Sequence, residues 1–283
     1  MPHGRLISIE QITQCRELVA RWRSQGATIG FVPTMGALHE GHLSLVKKSL
    51  EAGHKTVVSI FVNPKQFGPN EDFAKYPRVL DVDAQLLKDA GADMLFAPTA
   101  TEMYPDGFAT KVSVTGLTDY LCGPFRPGHF EGVATVVTKL LNQVQADEAF
   151  FGDKDWQQLQ VIKRLARDLD IPTRITGVPI VREEDGLALS SRNRYLDAAD
   201  RAKASLLNIT LRSVADEIMA GDNIEDALKA ARVGLFENGF KVDYLELADA
   251  STLAPVRSLD NPVRLFVAAR LGATRLIDNM AVN

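Results

Sequence analysis

The sequence predicts an α/β fold for residues 1–180, followed by a smaller α+β domain at 181–283. Short apolar and β-branched runs alternate with helical patterns through the first part of the chain, as they do in βαβ units. After Val181, two helical patterns come before three strand patterns. The composition, with 46% hydrophobic and 24% charged residues, is that of an ordinary globular protein.

The elements of the first domain are predicted in alternation. Strands are expected at 27–33, 55–62, 93–97, 148–151 and 173–178, and helices at 42–52, 82–90, 131–145 and 156–169. Because right-handed crossovers place the carboxyl ends of parallel strands at one edge of a sheet, we expect the ligand-binding loops at that edge.

The second domain is expected to combine helices with an antiparallel sheet. Helical patterns cover 198–220 and 224–238, and strand patterns cover 242–247, 263–269 and 275–280. The last two strand patterns are separated by a short segment that contains Gly272, which predicts a hairpin.

Charge and cysteine content argue against several classes of protein. The formal charge is −4, whereas nucleic-acid-binding domains depend on surfaces rich in Lys and Arg, so we expect no nucleic-acid partner. Cys15 and Cys122 are too few for a disulfide framework or a zinc motif. Residues 1–11 lack a signal-peptide pattern, and no apolar run is long enough to span a bilayer. We therefore expect a cytoplasmic protein without a membrane partner.

The segment 31–42, with the sequence FVPTMGALHEGH, gives the strongest functional signal. A strand pattern ends at Pro33, a glycine-containing loop follows, and a helix pattern begins near His42. This arrangement favours phosphate binding, because backbone N–H groups and the helix dipole converge there. His39 and His42 are three residues apart, so both imidazoles face one side and would stabilise charge that develops on a phosphate.

Two other interpretations of this segment are weaker. A lone histidine is more often a structural hydrogen-bond donor, but two within four residues and beside glycines favour a functional role. A metalloprotease-type zinc site needs histidines at i and i+4, and HEGH is one residue short. His3, His54 and His129 offer no clear third ligand.

Amide and charged side chains follow two other predicted strands, within 63–66 and 154–158. Carboxamides there would hydrogen-bond a hydroxyl or a carboxylate, and a lysine would neutralise a phosphate. The same residue types are common in ordinary turns and surfaces, so their position beside the predicted histidine loop is what favours function. The candidates are Asn63, Gln66, Lys154, Asp155 and Gln158.

Three further groups remain open between function and ordinary structure. The segment 189–194, LSSRNR, offers hydroxyls and guanidiniums that suit a polyphosphate, although a polar interdomain loop has the same composition. Asp83 suits Mg²⁺ and, like Asp81, is equally well explained as an acidic residue at a helix start. Arg126 lies in a Gly/Pro loop and is a weaker candidate for binding an anion.

Four long motifs together resemble the pantoate–β-alanine ligase family: VPTMGALHEGHLSLV, SIFVNPKQFG, FFGDKDWQQL and VREEDGLALSSRNRYL. The first is similar to the HIGH-type signature of nucleotidyl-transferring enzymes, and LSSRN resembles their KMSKS-type signature. The resemblance extends from Gly30 to Met280. It implies a Rossmann-like domain with a smaller lid domain, in a homodimer that uses ATP and Mg²⁺ to join pantoate to β-alanine through a pantoyl adenylate.

The resemblance also implies roles for individual residues. His39 and His42 would contact the triphosphate and stabilise the first transition state. The other phosphate contacts would come from Lys154, Ser190, Ser191 and Arg192, and further ATP contacts from Met35, Gly152, Asp155 and Val181. Pantoate would be held by Gln66 and Gln158. β-Alanine would pass near Asn63, and Mg²⁺ would lie near Asp83.

The departures from the familiar family pattern are small. Asp153 stands where Glu is more familiar, Trp156 where Tyr is common, and Leu189 where Met is common. Each substitution keeps the size class or the charge, so no catalytic role is put in doubt. Because adenylation needs positioning and charge stabilisation rather than an enzyme nucleophile, we expect Cys15 and Cys122 to have no part in the mechanism.

Three alternative functions share some of these features. An aminoacyl-tRNA synthetase-like protein would need a tRNA-binding surface, and this chain is short, acidic and without an obvious added module for one. An adenylyltransferase acting on a phosphate acceptor is disfavoured by the paired glutamines, which suit a hydroxy acid. A nucleotide-binding module without catalysis would not need the two histidines, Lys154 and the serine–arginine loop.

Overall fold

A computed structural model describes residues 6–69 and 71–282. The chain divides into two compact units, and each unit has its own sheet. The first unit contains the chain up to Val114, Arg126–Asp153 and Val161–Pro179, and the second contains Thr115–Phe125, Lys154–Gln160 and the chain from Ile180 onward. Residues 1–5 lie outside the described residues. They include His3 and the beginning of segment 1–11, which lacks a signal-peptide pattern.

The first unit is built on a sheet of six strands that are all paired in parallel. The strands are β1 (Ile7–Ile9), β2 (Ile29–Thr34), β3 (Lys55–Ile60), β4 (Met94–Phe96), β5 (Glu148–Gly152) and β6 (Arg174–Val178). Their order across the sheet is β1-β4-β3-β2-β5-β6. This arrangement confirms the predicted Rossmann-like α/β fold and places the carboxyl ends of the strands at one edge.

Helices connect these strands along the chain. They are α1 (Ile12–Ser24), α2 (Glu40–Glu51), α3 (Leu80–Ala90), α4 (Ala100–Met103), α5 (Cys122–Phe125), α6 (His129–Val144) and α7 (Trp156–Asp168). Sequence patterns do not predict β1 or α1. β1 has three residues, of which one is buried. Three residues are too few to show the alternation of apolar and polar side chains that predicts a strand.

The central strands of the first unit are buried on both faces, which explains why they read as continuous apolar runs. Val32, Val58 and Phe150 from three strands form one cluster with Leu45 of α2 and Leu87 of α3. Burial of such a side chain stabilises the fold by about 1.5–3 kcal/mol. The packed strands therefore provide a rigid edge for the loops that follow them.

From Ile180 onward, the second unit contains a group of helices followed by an antiparallel sheet in the order β7-β8-β9. The elements are α8 (Ala198–Ala204), α9 (Leu206–Met219), α10 (Ile224–Glu237), β7 (Lys241–Asp249), β8 (Val263–Leu271) and β9 (Thr274–Val282). The predicted α+β arrangement and the hairpin are confirmed, with Leu271 paired to Thr274 and Gly272 at φ +55° in the turn.

One helix of the second unit differs from its prediction. The single helix expected at 198–220 is two consecutive helices, with Ser205 between them in a helical conformation. Serine has a lower helix propensity than the alanines and leucines around it, and residue-pattern analysis does not resolve an interruption of one residue. Among the described residues, no helix combines the length and apolar character needed to cross a membrane.

Candidate active site

The loop after β2 is held in an unusual backbone conformation by Asp83. Gly36 and Ala37 are both in the left-handed region, with φ of +80° and +51°. Ala37 N–H donates to Asp83 Oδ2 and Leu38 N–H donates to Asp83 Oδ1, each at 2.8 Å. Alanine in this region is strained, so these two bonds stabilise a turn that the chain alone disfavours.

Gly36 meets a steric requirement as well as a conformational one. A Cβ atom at this position would lie 2.9 Å from Asp83 Oδ2 and 3.0 Å from Ile60 Cγ2. The contact with Asp83 would push the carboxylate away from the backbone N–H groups that it accepts. The glycine that sequence analysis associates with the histidine loop is therefore needed for the close approach of Asp83.

His39 and His42 form a reciprocal cap at the start of α2. Gly41 N–H donates to Nδ1 of His39 at 3.1 Å, and His39 N–H donates to Nδ1 of His42 at 3.3 Å. Because a neutral imidazole has one donor and one acceptor nitrogen, both rings hold their proton on Nε2. The ring centroids are 4.1 Å apart. The helix start therefore presents a pair of adjacent imidazole N–H donors together with the positive end of the helix dipole.

An amide cluster follows β3, which ends at Ile60, two residues before its predicted end. Asn63 caps a short 3₁₀ helix, Pro64–Gln66. Its Nδ2 donates to Gln66 Oε1 at 3.1 Å, and Gln66 Nε2 donates to Met35 Sδ at 3.1 Å. The first unit therefore brings together three residues that sequence analysis assigns to substrate or ATP: Met35, Asn63 and Gln66.

The guanidinium of Arg126 is paired within the first unit. It binds the carboxylate of Glu71 through Nε and Nη2, both at 2.7 Å. Burial alone would raise the pKa of Glu71, but the hydrogen bonds and charge of Arg126 outweigh it and lower that pKa to about 2. The expected anion is thus a carboxylate of the chain itself, which the sequence pattern around Arg126 does not reveal.

In the second unit, Lys154 is positioned through its backbone. Asn279 Nδ2 of β9 donates to the Lys154 carbonyl at 2.9 Å. The Lys154 side chain is 20% exposed, and its Nζ lies 3.8 Å from Asp155 Oδ2. Next to it, Trp156 donates from Nε1 to the Ala250 carbonyl at 2.7 Å. The main chain of Lys154 is therefore fixed, while its Nζ makes a long contact with a half-exposed carboxylate.

Two consecutive glutamines in α7 have different surroundings. Gln157 is buried and its amide accepts from Cys122 N–H at 2.9 Å and donates to the carbonyls of Leu117 and Tyr120 at 2.9 and 2.8 Å. Gln158 is only partly buried. The sequence motif indicates Gln158 but not Gln157, because the partners of Gln157 lie about 35 residues away and no local pattern reveals them.

The segment that leads into the serine–arginine loop is a small hairpin within the second unit. Leu189 N–H donates to the Val181 carbonyl at 3.0 Å, and Arg182 pairs with Ala188. Arg182 also binds both oxygens of Asp278 in β9, at 2.7 and 2.9 Å. Val181 is therefore fixed at the base of this hairpin.

The serine–arginine loop itself continues as a short 3₁₀ helix, Ser191–Tyr195. Ser190 caps this helix by accepting from Arg192 N–H at 3.3 Å. Ser191 is buried, whereas Ser190 and Arg192 are partly exposed. The structure thus keeps Ser190, Ser191 and Arg192 on one tight turn of chain.

Comparisons with known proteins agree with this architecture. The sequence profile described as Pantoate-beta-alanine ligase matches residues 7–281. The pantothenate synthetase of Paramagnetospirillum magneticum is 57% identical over 275 residues, which is 97% of each chain. The crystal structure of pantothenate synthetase from Thermus thermophilus is 46% identical, with a TM-score of 0.93 over 98% of this chain and 99% of that one.

A third relative was crystallised with ligands. The pantoate-beta-alanine ligase of Francisella tularensis, complexed with beta-gamma ATP and beta-alanine, is 37% identical with a TM-score of 0.80 over 98% of both chains. The profile match and these identities extend over nearly the whole length of the chain. The chain therefore belongs to the pantoate–beta-alanine ligase family.

Proposed function

We propose that this protein condenses (R)-pantoate with β-alanine, using ATP and releasing AMP and pyrophosphate. The observation that supports this most directly is the family match across residues 7–281, with both histidines of the loop present as Nε2–H donors. The Francisella relative, complexed with beta-gamma ATP and beta-alanine, supports two of the three substrates.

In the first proposed step a pantoate carboxylate oxygen attacks the α-phosphorus of ATP. A new O–P bond forms, the bond to the β-phosphate oxygen breaks, and pyrophosphate leaves with the electron pair. His39 and His42 donate from Nε2 to phosphate oxygens on which charge accumulates. Their cap on α2 fixes both rings before the reaction, so stabilisation needs no reorganisation.

In the second step the amine of β-alanine attacks the acyl carbon of pantoyl adenylate. A C–N bond forms, the C–O bond to the phosphate breaks, AMP leaves, and the nitrogen loses a proton. No cysteine is required. Cys15 is fully buried, and burial raises the pKa of its thiol to about 11, so it is a poor nucleophile.

The carboxamides provide the hydroxy-acid site in this proposal. Gln66 and Gln158 hold the hydroxyls and the carboxylate of pantoate, and Met35 contributes to the ATP contacts. Asn63 borders the path of β-alanine. The hydrogen bonds that join Asn63, Gln66 and Met35 support a common site for these three residues.

The remaining phosphate contacts are assigned to the second unit. Lys154 and Arg192 neutralise the triphosphate while the hydroxyls of Ser190 and Ser191 donate to it. The further ATP contacts are Asp155 on the ribose side and Val181, together with Gly152 at the end of β5 in the first unit. The Asn279 bond to Lys154 and the hairpin at Val181 support this assignment, because they fix the main chain at both places.

Mg²⁺ is proposed to enter with the triphosphate of ATP. Asp83 is the sequence-based candidate for contact with it, but both Asp83 oxygens accept backbone N–H groups, which suits a residue that holds the loop. Within residues 6–69 and 71–282, no group of three His, Cys, Asp or Glu side chains is arranged to hold a metal ion. The metal contact of Asp83 stays a prediction, and neither step depends on it.

Four broader statements also stay predictions, drawn either from the sequence pattern or from the resemblance. They are the division at residues 1–180 and 181–283, the role of the second domain as a lid that excludes water from the adenylate, a homodimer, and a cytoplasmic location. Sedimentation at several protein concentrations tests the dimer, since a monomeric mass throughout would contradict it.

Exchange of labelled pyrophosphate into ATP tests the adenylate route. Exchange that requires pantoate but not β-alanine is the expected result, because the first step reverses before the amine arrives. Exchange that needs β-alanine, or none at all in an enzyme that makes pantothenate, would contradict a free adenylate step.

A further inference from the structure

Two groups of the main chain show which end of the Asn63 carboxamide is the oxygen and which is the nitrogen. Lys65 N–H is an obligatory donor and contacts Oδ1 at 3.3 Å, whereas the Gly132 carbonyl is an obligatory acceptor and contacts Nδ2 at 3.1 Å. Asn63 is 1% exposed. The oxygen and nitrogen of this amide therefore have only one compatible assignment.

The rest of the Asn63 amide is occupied by two side chains. Tyr104 donates from its hydroxyl to Oδ1 at 2.8 Å, and the second Nδ2 hydrogen goes to Gln66 Oε1 at 3.1 Å. Both lone pairs of Oδ1 and both hydrogens of Nδ2 are thereby used. Asn63 thus acts on the site through Gln66, because it has no further hydrogen bond to give.

The oxygen of Gln66 consequently faces Asn63, and its NH₂ group faces away from Asn63. Nε2 contacts the Met35 sulfur at 3.1 Å, and a thioether is a weak acceptor. A hydroxyl or carboxylate oxygen is a stronger acceptor for the same NH₂ group. This orientation of the Gln66 carboxamide therefore favours a ligand that presents an oxygen acceptor to its NH₂ group.

We propose that Tyr104 is a positioning residue that fixes the Gln66 carboxamide through Asn63, so that Gln66 offers its NH₂ group to an oxygen of the hydroxy-acid substrate. The identity of that substrate as pantoate rests on the proposed function. Tyr104 provides the shorter of the two bonds to Asn63 Oδ1; without it, the oxygen keeps only the 3.3 Å bond from Lys65 N–H. Asn63 and Gln66 then sample other side-chain orientations.

The surroundings of Tyr104 hold its hydroxyl in place. The ring packs edge-on against Phe108, with centroids 5.0 Å apart, and lies 6.0 Å from the ring of Phe61. The ammonium of Lys65 lies 5.0 Å from the centre of the Tyr104 ring, and that of Lys139 lies 6.0 Å from it. Burial raises the pKa of Tyr104 well above its ordinary value, so the hydroxyl remains a donor.

The main chain of Gln66 is fixed independently of Tyr104. His129 Nδ1 donates to the Gln66 carbonyl at 2.8 Å, and a Cβ at Gly132 would come within 2.7 Å of Gln66 Cα. Arg126 holds His129 by donating to its Nε2 at 2.9 Å. Loss of the Tyr104 hydroxyl should therefore alter the side-chain order of Gln66 and leave its backbone in place.

The test compares Tyr104→Phe with the wild-type full-length enzyme, by varying pantoate at saturating ATP and β-alanine. We expect KM for pantoate to rise about 5- to 20-fold, the effect of one weakened hydrogen bond, while KM for ATP changes less than about 2-fold. Tyr120→Phe is the matched control, since it removes a tyrosine hydroxyl from the second unit and should leave both constants unchanged. KM does not depend on the fraction of folded molecules, so a less stable variant still gives a decisive value.

Two further readouts separate positioning from general disruption. Pantoate analogues that lack one hydroxyl should have a higher KM than pantoate in the wild type. For the analogue that lacks the oxygen bound by Gln66, this rise in KM should be smaller in Tyr104→Phe. Gln66→Glu keeps an acceptor facing Asn63 but replaces the NH₂ with oxygen, so it should raise KM for pantoate by more than about 100-fold.

An unchanged KM for pantoate in Tyr104→Phe, an equal rise for pantoate and ATP, or an unchanged rise in KM for both analogues would overturn the role of Tyr104. If Gln66→Glu still uses pantoate with an unchanged KM, the Gln66 NH₂ group does not donate to a substrate oxygen. These results differ from failure of the proposed function, in which the wild-type enzyme itself forms no pantothenate.

Discussion

The backbone N–H of Ala37 donates a hydrogen bond of 2.8 Å to Oδ2 of Asp83, a residue 46 positions further along the chain. This bond joins the first turn of α3 to a strained loop residue at φ +51°. The two histidines follow within five residues of Ala37. The placement of their imidazoles therefore depends on a buried carboxylate, which is 1% exposed.

Replacement of Asp83 by Asn should destabilise the loop and slow adenylate formation. An amide presents one oxygen and one NH₂ group to two backbone N–H donors, so one donor loses its partner and meets another donor. We expect a loss of about 1–3 kcal/mol in the free energy of unfolding, measured with urea, and a lower kcat for pyrophosphate exchange.

Asp81→Asn is the control for this prediction, because Asp81 is an exposed acid in the same helical turn. It should lose less than about 1 kcal/mol. If Asp83→Asn keeps wild-type stability and only raises the Mg²⁺ concentration needed for half-maximal rate, the residue binds metal and the loop-holding role is wrong.

Replacement of His42 should reduce the rate of adenylate formation far more than ATP binding. In His42→Ala we expect a loss of about 10²–10³ in kcat for pyrophosphate exchange, with the Kd for ATP within a few-fold, because the donor acts on charge in the transition state. Similar losses in rate and in affinity would exclude that role.

The two nitrogens of His42 can be separated by conservative variants. His42→Asn keeps an acceptor near the Nδ1 position, whereas His42→Gln keeps a donor near the Nε2 position. We expect His42→Gln to retain more activity and His42→Asn to retain more stability against urea. The reverse order for activity would show that the cap, and not the Nε2 donor, is what matters.

The neighbouring glutamines of α7 should respond in opposite ways to truncation. Gln158→Ala should raise KM for pantoate about tenfold with little change in stability, as expected for loss of a substrate hydrogen bond. Gln157→Ala leaves three backbone groups without their partner, two of them in buried hydrogen bonds, so its free energy of unfolding should fall by about 2–3 kcal/mol. Unchanged pantoate kinetics in Gln158→Ala would refute its substrate role.

Stability should fall in acid through the pair formed by Glu71 and Arg126. The pKa of Glu71 is lowered from 4.5 to about 2 in the folded protein, so its contribution is fully present above about pH 4.5 and is lost as pH falls toward 2. Because the pair is partly solvated, the contribution is on the order of 1–3 kcal/mol.

Urea unfolding between pH 6 and 2.5 checks this, with Glu71→Gln for comparison. The difference in free energy of unfolding between wild type and variant should shrink as pH falls through this window. A difference that stays constant with pH would show that the charge of Glu71 contributes no stability.

Strong local patterns made most of the fold predictable from the sequence. The strand at Glu148–Gly152 and the helix His129–Val144 lie within two residues of their predicted bounds, because buried runs and helical periodicity are clear there. The strand Ile7–Ile9 was not predictable in this way, since three residues give no period. The break at Ser205 depends on a single residue.

The candidate site was less predictable where it depends on distant contacts. The glycines and spacing around His39 and His42 are local, so the sequence alone singles out this loop. No sequence motif indicates Tyr104, because only the folded chain brings its hydroxyl to Asn63. Arg126 lies in a Gly/Pro loop that is a candidate for binding an anion, but in the folded chain its partner is the carboxylate of Glu71.

The proposed ligase activity is tested by product analysis of the purified protein with ATP, Mg²⁺ and pantoate, with and without β-alanine. We expect pantothenate and AMP in equal amounts when β-alanine is present, and no pantothenate when it is absent. Formation of ADP in place of AMP, or no pantothenate from the three substrates, would contradict it.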